Sequence, residues 1–385
     1  MRVLMVNRRD AESVPGGDSV QMRETAAGLE VLGVEVVTAA VGELPSLHGF
    51  DILHVFNWDQ LEPVLSSLNG CAADRPPVVL SPIFWHHSGH WFSAAVSART
   101  TWKVIRTSLG SSRSFRLYEN WQQAKFRWQA HGRRLRRRLF SAAQVLPNSR
   151  LEIEHLQSVL RMKRIPPSRI TVVPNGVRRE LFQPRPAPDP SFLEEYGMRG
   201  FVLQVARIQA AKNQLGLITA LFDLPIPIVF VGQPSPYEPE YVRRCRELAG
   251  ERGNVYFVAP RPPEELAGIY AAAGVHVLPS WRETPGLASL EAAAAGCRVV
   301  STDVGSAREY FGDLAWYCDP RDPASIRRAV TQALAAAPSE ELRRRVLDLF
   351  TWDRAARITL EAYHRALEEA RSDRGQTPPA LQPAG

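Results

Sequence analysis

The sequence predicts an α/β protein with two Rossmann-like domains, each a parallel β-sheet with helices on both faces, the two facing a cleft. Three observations lead there. Short apolar segments alternate with helical stretches from Arg2 to Val177, and the alternation restarts from Phe201 to Thr302. Parallel strands need such crossovers, usually helical. A proline cluster, QPRPAPDP at 183–190, lies between the two series, and 385 residues suffice for two ordinary domains.

The first series opens with RVLMVN (2–7), a short buried-strand pattern. A polar loop with Gly16-Gly17 and the helical stretch SVQMRETAAGLEVLG follow, then VEVVTAA (34–40), DILHVF (51–56), PPVVLSPIFW (76–85), QVLPNS (144–149) and ITVVPNGV (170–177). The second series reads FVLQVARI (201–208), PIVFVG (227–232), NVYFVA (254–259), VHVLPS (275–280) and CRVVST (297–302). TWDRAARITLEAYHRALEEA (351–370) is an amphipathic helix, with Thr351 as cap and Ile358, Leu360, Tyr363 and Leu367 as apolar positions. The expected division is a first domain over 1–183, a Pro-rich linker over 184–198, a second domain over 199–350, the closing helix, and a disordered tail over 371–385. Ligands of such sheets bind at the carboxyl ends of the strands.

Composition narrows the class. Hydrophobic content of 45% and charged content of 23% are those of a globular protein. The formal charge is +7, but 99–138 alone holds twelve Lys/Arg against the single acid Glu119, so the rest is slightly acidic. One basic patch fits better than a nucleic-acid surface. Tryptophans 91, 102, 121 and 128 interleave with these cations and with HGRRLRRRLF (131–140). An anionic membrane surface and an ordinary solvated helix both fit that pattern. The four cysteines form no C-x-x-C pair, which argues against zinc and against a disulfide framework. Val3 to Val6 is too short for a signal-peptide core, and no apolar run approaches a membrane span. A cytoplasmic setting is expected, with no metal or other cofactor.

Chemistry concentrates in PSWRETPGLASLEAAAAGCRVVSTDVGSAREY (279–310). A strand ends, a loop carries Glu283, and a small-residue helix starts near Gly286 and Leu287. Backbone N–H groups at a helix start lack intrahelical partners and suit a phosphate. Glu291, about one turn in, can accept two hydrogen bonds from a ribose diol. Glu283 can reach another part of the same ligand. A surface loop with solvated glutamates explains the stretch equally well when it is taken alone. In VARIQAAKNQ (205–214), Arg207 and Lys212 follow a strand and can clamp a diphosphate, or can simply be exposed cations. Gly16-Gly17 lets backbone approach a phosphate, or makes a plain turn. His86 and His87 can donate to a sugar hydroxyl, or lie on the surface.

Together these segments resemble the family 4 glycosyltransferases, which are retaining nucleotide-sugar enzymes of the two-domain GT-B fold. The glycine loop, VLPNS, VVPNGV, the Arg207/Lys212 pair, the 279–310 stretch and TWDRAA stand in the family's order, over roughly 1–370. The resemblance implies a nucleoside-diphosphate sugar as donor. Arg207, Lys212, the Gly286 and Leu287 amides, Gly16 and Gly17 would hold its diphosphate, Glu291 its ribose, and Arg261 of APRPPEE (259–265) its base. Glu283 would contact the transferred sugar, and His86 or His87 would join the catalytic set. The family's histidine aligns at or before Phe84, whereas here histidines stand at 86 and 87. The last helix would cross back to the first domain.

The implied reaction moves a sugar to an acceptor hydroxyl of a glycan, lipid-linked or small-molecule acceptor, with retention, in polysaccharide or glycolipid synthesis. The enzyme would sit in the cytoplasm, peripherally at the inner membrane face through 99–138, without nucleic acid as partner. Competing readings are a glycosidase using Glu283 and Glu291, an epimerase or hydrolase on the same fold, and a non-catalytic membrane or nucleic-acid binder.

Overall fold

A computed structural model describes residues 1–67, 75–84, 111–128, 130–162 and 165–375. It divides into two compact units. The first comprises Met1–Phe84, Phe126–Pro174 and the chain from Asp353 on; the second comprises Asn175–Trp352, with which 111–125 also groups.

The first unit's sheet runs β1 (Arg2–Asn7), β2 (Glu35–Ala40), β3 (Ile52–Phe56), β4 (Val78–Ser81) and β5 (Gln144–Val145), ordered β2-β1-β3-β4-β5 and parallel throughout. Its helices include α1 (Gly17–Val31), α2 (Leu61–Ser67), the closing part of α3 (Ser111–Trp128), α4 (Ala130–Leu139) and α5 (Arg150–Leu160). Val3–Val6 and all of β3 are buried, as expected of strands covered on both faces.

Two expected strands shrink. QVLPNS supplies only Gln144–Val145, because Ser149 caps α5, its Oγ accepting from Glu152 N at 3.0 Å. The buried Glu152 carboxylate accepts from Asn148 N at 2.6 Å and Phe84 N at 2.7 Å. This fixes the end of the segment that leads into residue 85. ITVVPNGV forms no strand. Ile170 makes an isolated bridge to Val145, and Val177 makes one to Thr351.

The second unit carries α6 (Pro190–Tyr196), β6 (Val202–Val205), α7 (Gln214–Ala220), β7 (Ile228–Val231), α8 (Pro239–Arg252), β8 (Val255–Val258), α9 (Pro263–Ala272), β9 (Val275–Leu278), α10 (Leu287–Ala294), β10 (Arg298–Thr302), α11 (Ala307–Phe311), β11 (Trp316–Cys318), α12 (Pro323–Ala335) and α13 (Glu340–Leu349). The parallel sheet is ordered β11-β10-β9-β6-β7-β8. The three-residue edge strand β11 is too short to read from sequence. The Pro-rich 184–198 stretch is not a bare linker. Asp189 accepts from Phe192 N at 2.7 Å, Pro190 starts α6, and Phe192 is buried beside Tyr196 and Phe201. Proline at a helix's first turn is compatible with the helix, so a cluster of prolines did not mean an unstructured spacer.

The closing helix α14 (Trp352–Gly375) groups with the first unit from Asp353 on. It runs beyond 370; the remaining tail, 376–385, lies outside the described residues. Its buried face is Ala355, Ala356, Thr359, Ala362, Tyr363 and Ala366, whereas Ile358, Leu360 and Leu367 are only partly buried. Small residues let the helix approach closely. Tyr363 Oη meets His54 Nδ1 at 2.7 Å, and His54 Nε2 meets Ser81 Oγ at 2.9 Å. Burial pushes the His54 imidazole down to about 3, so it stays neutral, one ring nitrogen donating and the other accepting.

That depression has a pH signature. The unfolded chain protonates His54 near its ordinary value of about 6.5, and the folded chain only near 3. Stability is therefore full above about pH 6.5 and falls as pH drops toward 3, by up to about 1.4 kcal/mol per pH unit. His54→Gln keeps a donor and an acceptor but cannot titrate. Denaturant unfolding between pH 7 and pH 5 is expected to show a flatter dependence in the variant. An equally steep one would assign the effect to other groups.

Candidate functional site

Strand order builds the site. From β6 the chain runs outward to β7 and β8, then returns to place β9 on β6's other side. The carboxyl ends of β6 and β9 thus flank the sheet's switch point, where such sheets leave a crevice. The loop after β6 carries Arg207 and Lys212, and the loop after β9 carries Glu283. Asn213, left-handed at φ +58°, ties them, its Nδ2 donating to Pro279 O at 3.1 Å and Pro320 O at 2.9 Å. Trp281 N donates to Ala211 O at 3.1 Å. Gln204 and Gln214 side chains hold the carbonyls of Lys212 and Arg207 at 2.8 and 2.9 Å. None of these amides was singled out in the sequence, since an Asn or Gln beside a cation looks like ordinary loop polarity.

At the centre, Lys212 Nζ lies 2.5 Å from Glu283 Oε1, and the glutamate side chain is only 7% exposed. A carboxylate this buried needs a cation or donors. Its backbone is locked as well. Glu283 N donates to Val304 O at 3.1 Å, and Ser306 N donates to Glu283 O at 3.0 Å. Gly305 bridges Glu283 at φ +121°, and a Cβ there would lie 2.0 Å from Glu283 O. Only glycine permits this approach. The buried hydroxyls of Ser280 and Ser306 have no hydrogen-bond partner in the described structure.

Gly286 starts α10 at φ +87°, and a Cβ there would stand 3.4 Å from Glu283 Oε2. The glutamate therefore lies beside the helix start, where the amides of Leu287 and its neighbour precede the first intrahelical bonds. One turn on, Glu291 Oε2 accepts from Tyr270 Oη of α9 at 2.9 Å. The two glutamates thus have different partners, a lysine for Glu283 and a buried phenol for Glu291.

The other candidates fall elsewhere. Arg261 Nη2 lies 3.0 Å from Glu195 of α6, and its Nη1 lies 3.5 Å from Glu265 of α9. It is held by those carboxylates, not by the Lys212–Glu283 cluster. In the first unit, Gly16 caps α1 and Gly17 begins it. The chain's own Asp18 stands at that helix start, with Arg8 Nε and Asn57 Nδ2 on its Oδ2 at 2.7 and 2.8 Å. His86 and His87 lie outside the described residues. No cluster of three metal-ligating side chains occurs among the described residues.

Residues 189–346 match the family model described as "Glycosyl transferases group 1". A D-inositol 3-phosphate glycosyltransferase of a Nocardioides species is 32% identical over 263 residues, 60% of this chain and 55% of that protein. The chain spans about half the length of the curated relatives it matches. Among solved structures, sucrose-phosphate synthase from Thermosynechococcus elongatus aligns with TM-score 0.72 and 19% identity over 96% of this chain and all of that one. Anabaena HepE, solved with UDP and glucose, aligns with TM-score 0.59 and 17% identity over 98% of this chain and all of that one. At these identities the likeness establishes the fold, GT-B.

Gly305→Ala tests the backbone clamp on Glu283. It combines a disfavoured φ with a clash against Glu283 O, so a loss of about 1–3 kcal/mol in denaturant unfolding is expected. Wild-type stability in the variant would mean that the loop relaxes freely.

Proposed function

We propose that this chain is a family 4 glycosyltransferase and moves a sugar from a nucleoside-diphosphate donor to an acceptor hydroxyl with retention of anomeric configuration. The observation that carries the reading is the Lys212–Glu283 ion pair at the β6/β9 switch point, beside the start of α10. A lysine, a nearby arginine and a helix start supply the positive field that a departing diphosphate needs. Lys212 neutralises Glu283 in the free protein and turns to the diphosphate when donor binds. Glu283 then faces the transferred sugar with its backbone held on both sides. Glu291 takes the ribose diol.

The pairings also speak against a hydrolase. A glycosidase needs one protonated and one ionised carboxyl acting across a single bond. Glu283 pairs with a lysine of another loop and Glu291 is engaged by a tyrosine of another helix, so the two are not held as one matched pair. A glycosidase mechanism would also give Lys212 no part in the chemistry.

The acceptor is assigned only as a polyol or glycan hydroxyl, which the inositol phosphate in one relative's name supports. Contact with an anionic membrane is assigned to α4. Arg133, Arg134 and Arg136 are exposed, while Leu135 and Leu139 are core residues and Arg138 pairs with Glu62 at 2.9 Å. With its apolar face used internally, α4 offers a membrane charge alone, so such binding is electrostatic and salt-sensitive.

Thermal-shift screening against UDP, GDP and ADP sugars identifies the donor by its stabilisation. With that donor, Glu283→Gln is expected to lower transfer by about 10²-fold or more while changing nucleoside-diphosphate affinity little. An active variant would remove Glu283 from the reaction. Serine at 133, 134 and 136 is expected to reduce co-sedimentation with anionic liposomes; unchanged pelleting would leave α4 an ordinary solvated helix.

A further inference from the structure

Glu291 sits on α10, a helix of eight residues, between Leu290 and Ala292. A glutamate has three side-chain torsions. For a carboxylate to meet both hydroxyls of a ribose, those torsions must be set before the ligand arrives, or binding must supply the ordering entropy. One contact that sets them comes from the neighbouring helix.

Tyr270, near the end of α9, is 1% exposed, yet its hydroxyl reaches the partly exposed Glu291 Oε2 at 2.9 Å. Its ring meets the His276 ring edge-on, with centroids 5.7 Å apart at 72°. His276 is itself fully buried on β9, and Ser289 Oγ lies 3.4 Å from its Nδ1. A phenol has two main torsions, both immobilised by this packing. Its oxygen is therefore a fixed point. Burial and the negative charge of Glu291 both push the Tyr270 hydroxyl well above its ordinary value, so it remains a donor at any working pH. Burial pushes the His276 imidazole down to about 3, so it stays neutral beside Tyr270. An ionised carboxylate offers about four lone-pair sites. The bond to Tyr270 occupies one of them.

We infer that Tyr270 is a positioning residue for ribose recognition, its buried hydroxyl anchoring one oxygen of Glu291 so that the carboxylate is presented ready for a nucleotide's vicinal hydroxyls. The inference rests on the assignment of Glu291 to the ribose, and adds to it a residue that never touches the donor. It identifies the discriminating contact as a charge-assisted hydrogen bond between two helices, not the carboxylate alone. Its sequence signal is slight: a Tyr near the end of a helix, 21 positions before the glutamate, reads as core.

The test compares UDP, GDP and ADP, each with its 2′-deoxy form, by titration calorimetry on the full chain. Wild type should prefer the ribonucleotide of its own base. Glu291→Ala should erase that preference. Tyr270→Phe keeps the ring and removes one oxygen. It should weaken ribonucleotide binding by about 3–10-fold, the net worth of one ordinary hydrogen bond, and leave the deoxynucleotide unchanged, so the ratio narrows. Equal weakening of both forms, or of neither, while Glu291→Ala erases the preference, overturns the positioning role alone. A preference that survives Glu291→Ala overturns the ribose assignment, and the inference with it. Should Tyr270→Phe not fold, 3-fluorotyrosine at 270 retains the hydroxyl, and its ¹⁹F signal should move with the ribonucleotide and not with the deoxynucleotide. The same movement with both counts against the role.

Discussion

A carboxylate that is 7% exposed cannot stand alone, and the second unit is organised around the one at position 283. Its charge is met by Lys212, its main chain by the Val304–Ser306 loop, and its approach to that loop by a glycine with no Cβ to obstruct it. The lysine and the loop come from two different βα connections, and the glutamate from a third. They meet because β9 returns to the side of β6 away from β7. A sheet ordered in simple sequence would have separated the lysine loop from the glutamate loop by two strands.

The same economy holds one helical turn further on. Glu283 and Glu291 are eight positions apart, and in isolation they invite a reading as a matched acid pair. The structure gives them unlike partners, a flexible cation and an immobilised phenol. A lysine on a four-carbon stem can leave one anion for another, whereas a tyrosine packed on every side cannot move. The first arrangement suits a group whose charge balance changes when a diphosphate enters, and the second suits a group that must hold one geometry throughout. Polarity alone would not separate these roles; side-chain freedom does.

In the first unit, polar groups are used for assembly. His54 on β3, Ser81 on β4 and Tyr363 on α14 share one buried chain of hydrogen bonds, and the helix that supplies Tyr363 presents mainly alanine to the sheet. Helix packing through small residues gains less from burial per residue than packing through leucine. The hydrogen bonds add a directional contact that fixes the helix's register. Glu152 does comparable work near the VLPNS turn, where two backbone amides point at one carboxylate.

Much was legible from sequence because it depends on neighbours along the chain. Apolar runs at β1, β3, β6, β7, β9 and β10 marked strands buried on both faces. Gly286 before a small-residue helix marked a helix start, and the order of the motifs carried the family resemblance. What local pattern could not decide was everything set by contacts distant in the chain. ITVVPNGV has strand composition but finds only isolated bridges, and a proline cluster becomes α6 because Asp189 and Phe192 find a cap and a core. The amphipathic stripe on α14 pointed to Ile358 and Leu360, yet close packing selected the alanines, because what a helix buries depends on the shape of its partner. Tyr270 was invisible as anything but core, since its role lies in one hydrogen bond across 21 residues. Sequence alone thus determined most of the strands and helices and which residues carry charge. Tertiary structure decided which charges meet, because strand order, and not spacing along the chain, sets the distance between a lysine and a glutamate 71 residues apart.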